Sequence, residues 1–238
     1  MNHQQLAIAT ISWARDPAED KLLRRSLKQL STLGIPVFIT DGGSGEDFIT
    51  YISGLNHFTV LKPAQKGLWW QARTSLEHAA NSGAAFVMYT EPDKLEFFKH
   101  LLHMLNAIEV DETTGVVLAS RSIDGLQSFP AFQQMTEATI NNCCAEVIGH
   151  IADYTYGPFV LNKNVVTYMQ ALPLDIGWGW RPYAFNIAAR LGLSIGTYVS
   201  DFLCPADQQN DDAQERIYRM KQLTQNVQGL VLSASASI

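Results

Sequence analysis

Long apolar runs are missing from this sequence. No stretch approaches the roughly 20 residues needed to cross a bilayer, so no membrane span is expected. The N-terminus has no basic segment followed by an apolar one, so no secretory leader is expected either. Cysteine is scarce: Cys143, Cys144 and Cys204 are an odd set with one adjacent pair and no CxxC spacing. That excludes a disulfide framework and a thiolate metal site, and predicts reduced thiols in a cytoplasmic protein. Basic residues are few, 17 Lys and Arg against 23 Asp and Glu, for a net charge of -6. That balance argues against non-specific nucleic-acid binding, which wants a basic face. A phosphorylated small molecule is not excluded, because a bound cation can supply positive charge locally. The six histidines show no ligand spacing, and His100 and His103 are expected on a helix facing solvent. Internal repeats and low-complexity linkers are absent as well.

What is present is an ordinary globular composition, 47% hydrophobic and 17% charged over 238 residues. A chain of this size buries roughly 70–75% of its extended surface, enough for a sizeable core. One domain is the simplest expectation.

Apolar runs at Leu6–Trp13, Ile35–Thr40, Phe58–Leu61 and Ala84–Tyr89 read as strands. Between them lie helical periodicities: Leu23, Leu27 and Leu30, closed by Gly34, and Leu68, Ala72, Leu76 and Ala79, closed by Gly83. Strand alternating with helix predicts a doubly wound, mostly parallel α/β sheet. Beyond it, Leu95, Phe98, Leu102 and Leu105 mark a helix, Val116–Ser122 a strand, and Asp124-Gly125 a turn. Helices are expected over about 133–152, over Val165–Leu172 ended by Pro173, and through Ala184–Leu191. Ser194–Val199 reads as the last strand, followed by a polar helix over about 211–227 and a frayed end from Ser233.

The stretch that organises the rest is Ala84–Lys94, where a continuously apolar strand stops in Glu91-Pro92-Asp93. Such a strand is covered on both faces, and open α/β sheets bind ligands just beyond strand carboxyl ends. Pro92 cannot continue a central strand, so the chain turns there with both acids at the rim. Two hard oxygen donors in that position suit magnesium or manganese shared with a ligand's phosphates. The competing reading is that they cap the helix beginning at Leu95. Asp41-Gly42-Gly43-Ser44-Gly45 repeats the arrangement at the end of the second strand, as a turn or as a backbone brought close to a ligand. Asp175-Ile176-Gly177-Trp178-Gly179-Trp180-Arg181 alternates glycine with tryptophan, as a packed loop or as an aromatic platform for a sugar face.

In order and spacing these segments resemble the A-type (GT-A) nucleotide-sugar glycosyltransferase superfamily. Asp41-Gly42-Gly43-Ser44 is similar to its Asp-x-Gly-Ser. Gly67-Leu68-Trp69-Trp70-Gln71-Ala72-Arg73 resembles its Gly-x-x-x-Ala-Arg helix start with one residue more. Glu91-Pro92-Asp93 matches the Asp-x-Asp metal motif with Glu for the commoner Asp. Val116-Val117-Leu118-Ala119-Ser120-Arg121 matches a Val-Val-x-x-Ser-Arg strand, and Gly177-Trp178-Gly179 the Gly-Trp-Gly loop. The resemblance covers most of residues 6–203. It implies a single GT-A-like domain, with a nucleotide-sugar-binding half over about 1–110, an acceptor-side half over about 111–205 and a C-terminal helix and tail over 206–238.

It also implies metal-assisted transfer of a sugar from a nucleotide-diphosphate sugar to an acceptor, with Mg2+ or Mn2+ as cofactor. Asp93 is the implied direct metal ligand, Glu91 reaches the metal or the donor ribose, and Asp201 is either a third ligand or a surface turn acid. Ser12, Trp13 and Asp41 are implied to hold the nucleoside, Trp13 stacking on the base unless it is a core tryptophan. Gly67, Arg73, Gly177, Trp178 and Arg181 complete the implied donor site, with Arg73 on the diphosphate or paired with Asp41 or Glu91. An inverting enzyme needs a carboxylate to take the acceptor's proton, and Asp175 and Asp124 are the candidates. Arg181 stands where many inverting relatives carry that acid, which leans toward retention. Two other classes fit the same layered sheet: a non-catalytic binding module, and a sugar-phosphate nucleotidyltransferase. The latter calls for a glycine-rich basic loop after the first strand, where this chain has Trp13-Ala14-Arg15-Asp16.

Overall fold

A computed structural model describes residues 5–172 and 175–238. Along the chain the elements are β1 (Leu6–Ser12), α1 (Pro17–Ser31), β2 (Val37–Asp41), α2 (Glu46–Ser53), β3 (Phe58–Leu61), α3 (Leu68–Ala80), β4 (Phe86–Tyr89) and α4 (Leu95–Ala107). Then come β5 (Thr114–Arg121), α5 (Ile123–Gln127), α6 (Ala131–Ile148), β6 (Phe159–Asn162), α7 (Lys163–Met169), α8 (Trp180–Arg190), β7 (Ser194–Ser200) and α9 (Ala213–Ser235). The result is an α/β fold of mostly parallel strands flanked by helices, as the alternation of segments predicts. It divides into two compact units, one holding the chain up to Val110 with Pro158–Asp175, the other Asp111–Gly157 with Ile176–Ile238.

In the first unit the strand order is β3-β2-β1-β4-β6. All neighbours are parallel except β6, which returns antiparallel to β4 with Tyr89 opposite Phe159. β4 is buried at every position and β1 at all but Ile11, which is why both read as unbroken apolar runs. Helix α1 starts where its signals say it should. The Asp16 carboxylate accepts from the Ala18 and Glu19 amides, Pro17 takes the first helical position, and Leu23, Leu27 and Leu30 face the sheet. Two expectations need correction here, and one element is new. Helix α2 was not anticipated, although Phe48 and Ile52, four apart, are its buried face and Glu46 and Asp47 lie in its first turn. The buried line of α4 is Phe97, Phe98, Leu101, Met104 and Leu105, whereas Leu102 is exposed. α7 ends at Met169, and Pro173, expected to end it, lies outside the described residues.

In the second unit β5 and β7 pair in parallel, from Thr114 opposite Ser194 to Arg121 opposite Ser200. The Asp124-Gly125 turn is the start of α5, with Ser122 Oγ accepting from the Gly125 amide. α6 stops at Ile148 because Gly149 takes up a left-handed conformation, φ +76°. The end expected to fray from Ser233 is helical as far as Ser235, where α9 stops, and irregular only over 236–238. Ser233 is fully buried: its hydroxyl accepts from Asn186 Nδ2 at 2.8 Å, and its carbonyl accepts from Arg190. A composition of small residues hides this, because the tertiary partners come from α8.

Candidate active site

The first unit brings three adjacent parallel strand ends together, β2, β1 and β4. At the first of them Asp41 is 7% exposed and stands in register with Ser12 across the β1–β2 pair. Its Oδ1 accepts from the amides of Gly43 (2.8 Å) and Ser44 (2.7 Å). Its Oδ2 accepts from the hydroxyls of Ser12 (2.8 Å) and Ser44 (2.7 Å). A carboxylate offers about four lone-pair positions, and all four are taken by the chain itself. Asp41 is therefore the pivot that holds the two strand-end loops in one shape, and Ser44 Oγ extends that hold by accepting from the Ala14 amide at 2.7 Å.

Trp13, next along β1's loop, is 52% exposed, so it is not a core tryptophan. The Arg15 guanidinium lies 5.9 Å from its ring centre. At the third strand end, Thr10 Oγ1 donates to the Thr90 carbonyl (2.8 Å) and the Thr90 amide donates to Ala9 (3.2 Å). These bonds fix the point at which the chain leaves β4 for Glu91-Pro92-Asp93. Both acids are half-buried, and Glu91 Oε2 is shielded from solvent. The N-cap position of α4 falls on Lys94, whose side chain makes no capping bond.

Sequence reasoning missed Gln71 at this site. It is 8% exposed on α3, with no hydrogen-bond partner for its buried Oε1 among the described residues. Its amide lies flat on Gly42: a Cβ there would meet Gln71 Nε2 at 2.7 Å. A polar residue on the apolar line of Leu68, Ala72, Leu76 and Ala79 is the signal that was available.

Arg73 pairs with neither Asp41 nor Glu91 in these bonds. It donates to Glu77 on its own helix at 2.7 Å and sits 5.3 Å from the Trp70 ring centre. The close approach that Gly67 permits is to Asp175. With φ +134°, a Cβ on Gly67 would come within 1.6 Å of Asp175 Oδ2, and Asp175 Oδ1 accepts from the Trp69 amide at 3.2 Å. Asp175 thus caps α3 from 106 residues away, taking one of the amides a helix start leaves open.

The remaining candidates belong to the second unit. Gly177 and Gly179 serve packing of their turn against α9: a Cβ on Gly179 would meet the Gln225 carbonyl at 2.1 Å, and one on Gly177 the Gln225 amide at 2.2 Å. Trp178 donates through its indole to Tyr218 (2.9 Å) and through its amide to Gln225 (3.1 Å). The buried Arg181 guanidinium lies 4.8 Å from the Trp178 ring centre. Asp124 is exposed in the first turn of α5, and the exposed Asp201 accepts from Ser122 Oγ at 2.6 Å.

Arg121, matched by motif alone, turns out to be the centre of a buried charge cluster. It reaches Glu137 at 2.7 Å, grips Asp153 with two nitrogens (2.7 and 3.0 Å), and donates to Thr155. Burial by itself would lower the Arg121 pKa, but Glu137 and Asp153 more than offset this and raise it. For Asp153, burial pushes upward, yet the bonds from Arg121 win and bring it down to about 2. Its partners lie 16 and 32 positions from Arg121, beyond the reach of local pattern.

Among the described residues no group of three or more His, Cys, Asp or Glu side chains stands ready to hold a metal alone. Glu91 and Asp93 nevertheless fit a hard divalent cation of the magnesium type, which is commonly bound through one or two carboxylates with the ligand's phosphates completing the shell.

These elements make up the A-type glycosyltransferase fold, the class that the motif order resembles. The crystal structure of Mycobacterium tuberculosis glucosyl-3-phosphoglycerate synthase is similar over 98% of this chain and 82% of its own, with TM-score 0.66 and 15% identity. The same enzyme with Mn2+, UDP and glucosyl-3-phosphoglycerate matches at TM-score 0.64 and 14% identity, over 98% and 81%. A crystal structure described as a mycobacterial protein matches at 0.66 and 17%, over 98% and 76%. No protein-family model matches the chain, and no curated protein matches its sequence. At such identities the likeness establishes the fold. Among the described residues, no helix is long and apolar enough to cross a membrane.

Proposed function

We propose that this protein is a metal-assisted glycosyltransferase that moves a sugar from a nucleoside diphosphate sugar, UDP-linked in the first instance, to an acceptor hydroxyl. One observation carries the reading: Glu91 and Asp93 follow β4 directly, beside the ends of β1 and β2 with Ser12, Trp13 and the Asp41 turn. The likeness of fold to a synthase whose crystals hold UDP and Mn2+ supports it.

In this reading Glu91 and Asp93 hold Mg2+ or Mn2+, which when bound would neutralise the charge that develops on the departing diphosphate. Asp41 works by position, keeping Ser12 and Ser44 in place for the nucleoside. Trp13 offers its exposed face to the base, as aromatic rings do for nucleobases. Arg73, held by Glu77 and Trp70 in the first turns of α3, meets the diphosphate, and Gly67 leaves room for the Asp175 carboxylate that caps that helix start. Gly177, Trp178 and Arg181 act as a packed group, the glycines letting the turn seat on α9 and Arg181 bracing the indole. Asp201, bonded to Ser122, is left out of the metal set. The acceptor's proton goes to Asp124 or Asp175, which separate Asp124→Asn and Asp175→Asn variants distinguish by loss of turnover with nucleotide binding retained.

Calorimetric titration of UDP, with Mn2+ and with chelator, tests the reading. The expected result is at least about tenfold tighter binding with the metal, ~1.4 kcal/mol, and loss of that gain in Asp93→Asn. Equal affinity under both conditions refutes it. Metal-dependent binding with no turnover of any UDP-sugar, even with hydroxylated acceptors supplied, leaves a binding module in its place.

A further inference from the structure

The outward face of α9 does not look like a solvated helix face. Helices on a protein surface put charged and polar residues toward water. Here the exposed line is Ile217, Met220, Thr224, Val227, Val231 and Ala234. The intervals are three, four, three, four and three, the spacing of a coiled-coil seam. The buried face of the same helix is a separate line, Asn226, Gly229, Leu230 and Ser233, with Gly229 against Gly179. The seam is therefore additional to the packing that holds α9 in place. No charged residue occurs after Lys221. Thr224, the polar member, already donates its hydroxyl to the Met220 carbonyl at 3.0 Å, so covering it strands no donor. An apolar strip of this length rimmed by polar side chains marks an interaction surface.

We propose that this face is a dimerisation seam that takes the same helix of a second copy of the chain, running antiparallel. Two features choose this occupant and this direction. The first is charge: a parallel pair would bring Arg216 of one copy beside Lys221 of the other on both flanks, which repels. An antiparallel pair instead sets Lys221 beside Gln228. The second is size. The seam is bulky at its start, with Ile217 and Met220, and slim at its end, with Val231 and Ala234. Antiparallel layers match Ile217 with Ala234, Met220 with Val231 and Thr224 with Val227, so each layer has a similar volume. The pairing is two-fold symmetric and self-complementary, as an isologous dimer requires. The six layers extend over about 26 Å of helix. A seam of that length is at the small end of stable interfaces, so the dimer exchanges reversibly with monomer at micromolar concentrations.

Sedimentation velocity on the full chain over a concentration series is the test, with Val231→Glu as the disrupting variant. Val231 is 65% exposed, so this substitution leaves the fold intact, which circular dichroism verifies. The expected result is a concentration-dependent dimer in the parent and at least tenfold weaker association in the variant. Direction is read by oxidative cross-linking in a background carrying Cys143→Ser and Cys204→Ser. There, Ile217→Cys with Ala234→Cys in one chain gives a covalent dimer, and Ile217→Cys alone does not. A parent that stays monomeric up to high micromolar concentration overturns the proposal, as does a dimer indifferent to Val231→Glu. Cross-linking by Ile217→Cys alone overturns the antiparallel arrangement. A monomer that instead pellets with vesicles of anionic phospholipid assigns the face to a membrane surface and also overturns it.

Discussion

Replacing Asp41 separates its work as a positioning group from any direct contact it makes with a ligand. Asp41→Ala removes the acceptor of four hydrogen bonds, but the four losses are unequal. Ser12 is 1% exposed, so its hydroxyl has no water to turn to, and stranding it costs about 1–3 kcal/mol. Gly43 is exposed and Ser44 half-buried, so their amides and the Ser44 hydroxyl regain water at roughly 0–1 kcal/mol in all. The expected loss is about 1–4 kcal/mol, a substantial part of the ~5–15 kcal/mol that keeps a typical domain folded. Asp41→Asn is the control. Its oxygen still accepts from the two amides, while its NH2 donates to hydroxyls free to turn and accept, so about 1 kcal/mol is lost. Urea unfolding followed by tryptophan fluorescence measures both, with a fall in midpoint at unchanged slope as the sign of a simple stability change. UDP affinity should fall in the same order, Ala more than Asn, because both strand-end loops lose their common anchor. An Asp41→Ala protein within ~0.5 kcal/mol of the parent, the range of an ordinary surface substitution, refutes the pivot role.

Gly229→Ala forces a methyl to within 1.9 Å of the Gly179 carbonyl, so α9 must move. Overpacking of about 1–3 kcal/mol outweighs the ~1 kcal/mol helix-propensity gain of alanine, and scanning calorimetry should show Tm lowered by several degrees; an unchanged Tm refutes the contact. The Asp153 carboxyl is held at about 2 against an ordinary 3.8. A depressed acid contributes stability above its unfolded pKa and loses it as pH falls toward the folded one. Asp153 should therefore add about 2 kcal/mol at neutral pH, fading between about pH 4 and pH 2. Unfolding of Asp153→Asn over that range should show the parent's advantage vanish; a gap independent of pH excludes this linkage.

Much of the scaffold was legible because its signals are local. The unbroken apolar runs of β1 and β4, Asp16-Pro17 ahead of α1, and Glu91-Pro92-Asp93 after a buried strand each act within a few residues. α2 was missed because eight residues with two apolar anchors carry little periodicity. The end of α9 was misread because small residues are neutral until Asn186 and Arg190 of α8 make Ser233 a buried contact.

The sequence by itself determined the alternation of strands and helices, the strand ends where acids gather, and the order of motifs that resembles the A-type glycosyltransferases. Only the tertiary structure decided how those residues are employed. Asp41 is saturated by its own loops, Asp175 caps a helix that begins at Leu68, Arg73 stays with Glu77, and Arg121 anchors two buried acids. The reason is physical: secondary structure follows from backbone preference and short-range periodicity, which neighbouring residues carry. The partner of a polar side chain is chosen by burial and geometry among groups that meet only after the chain has folded.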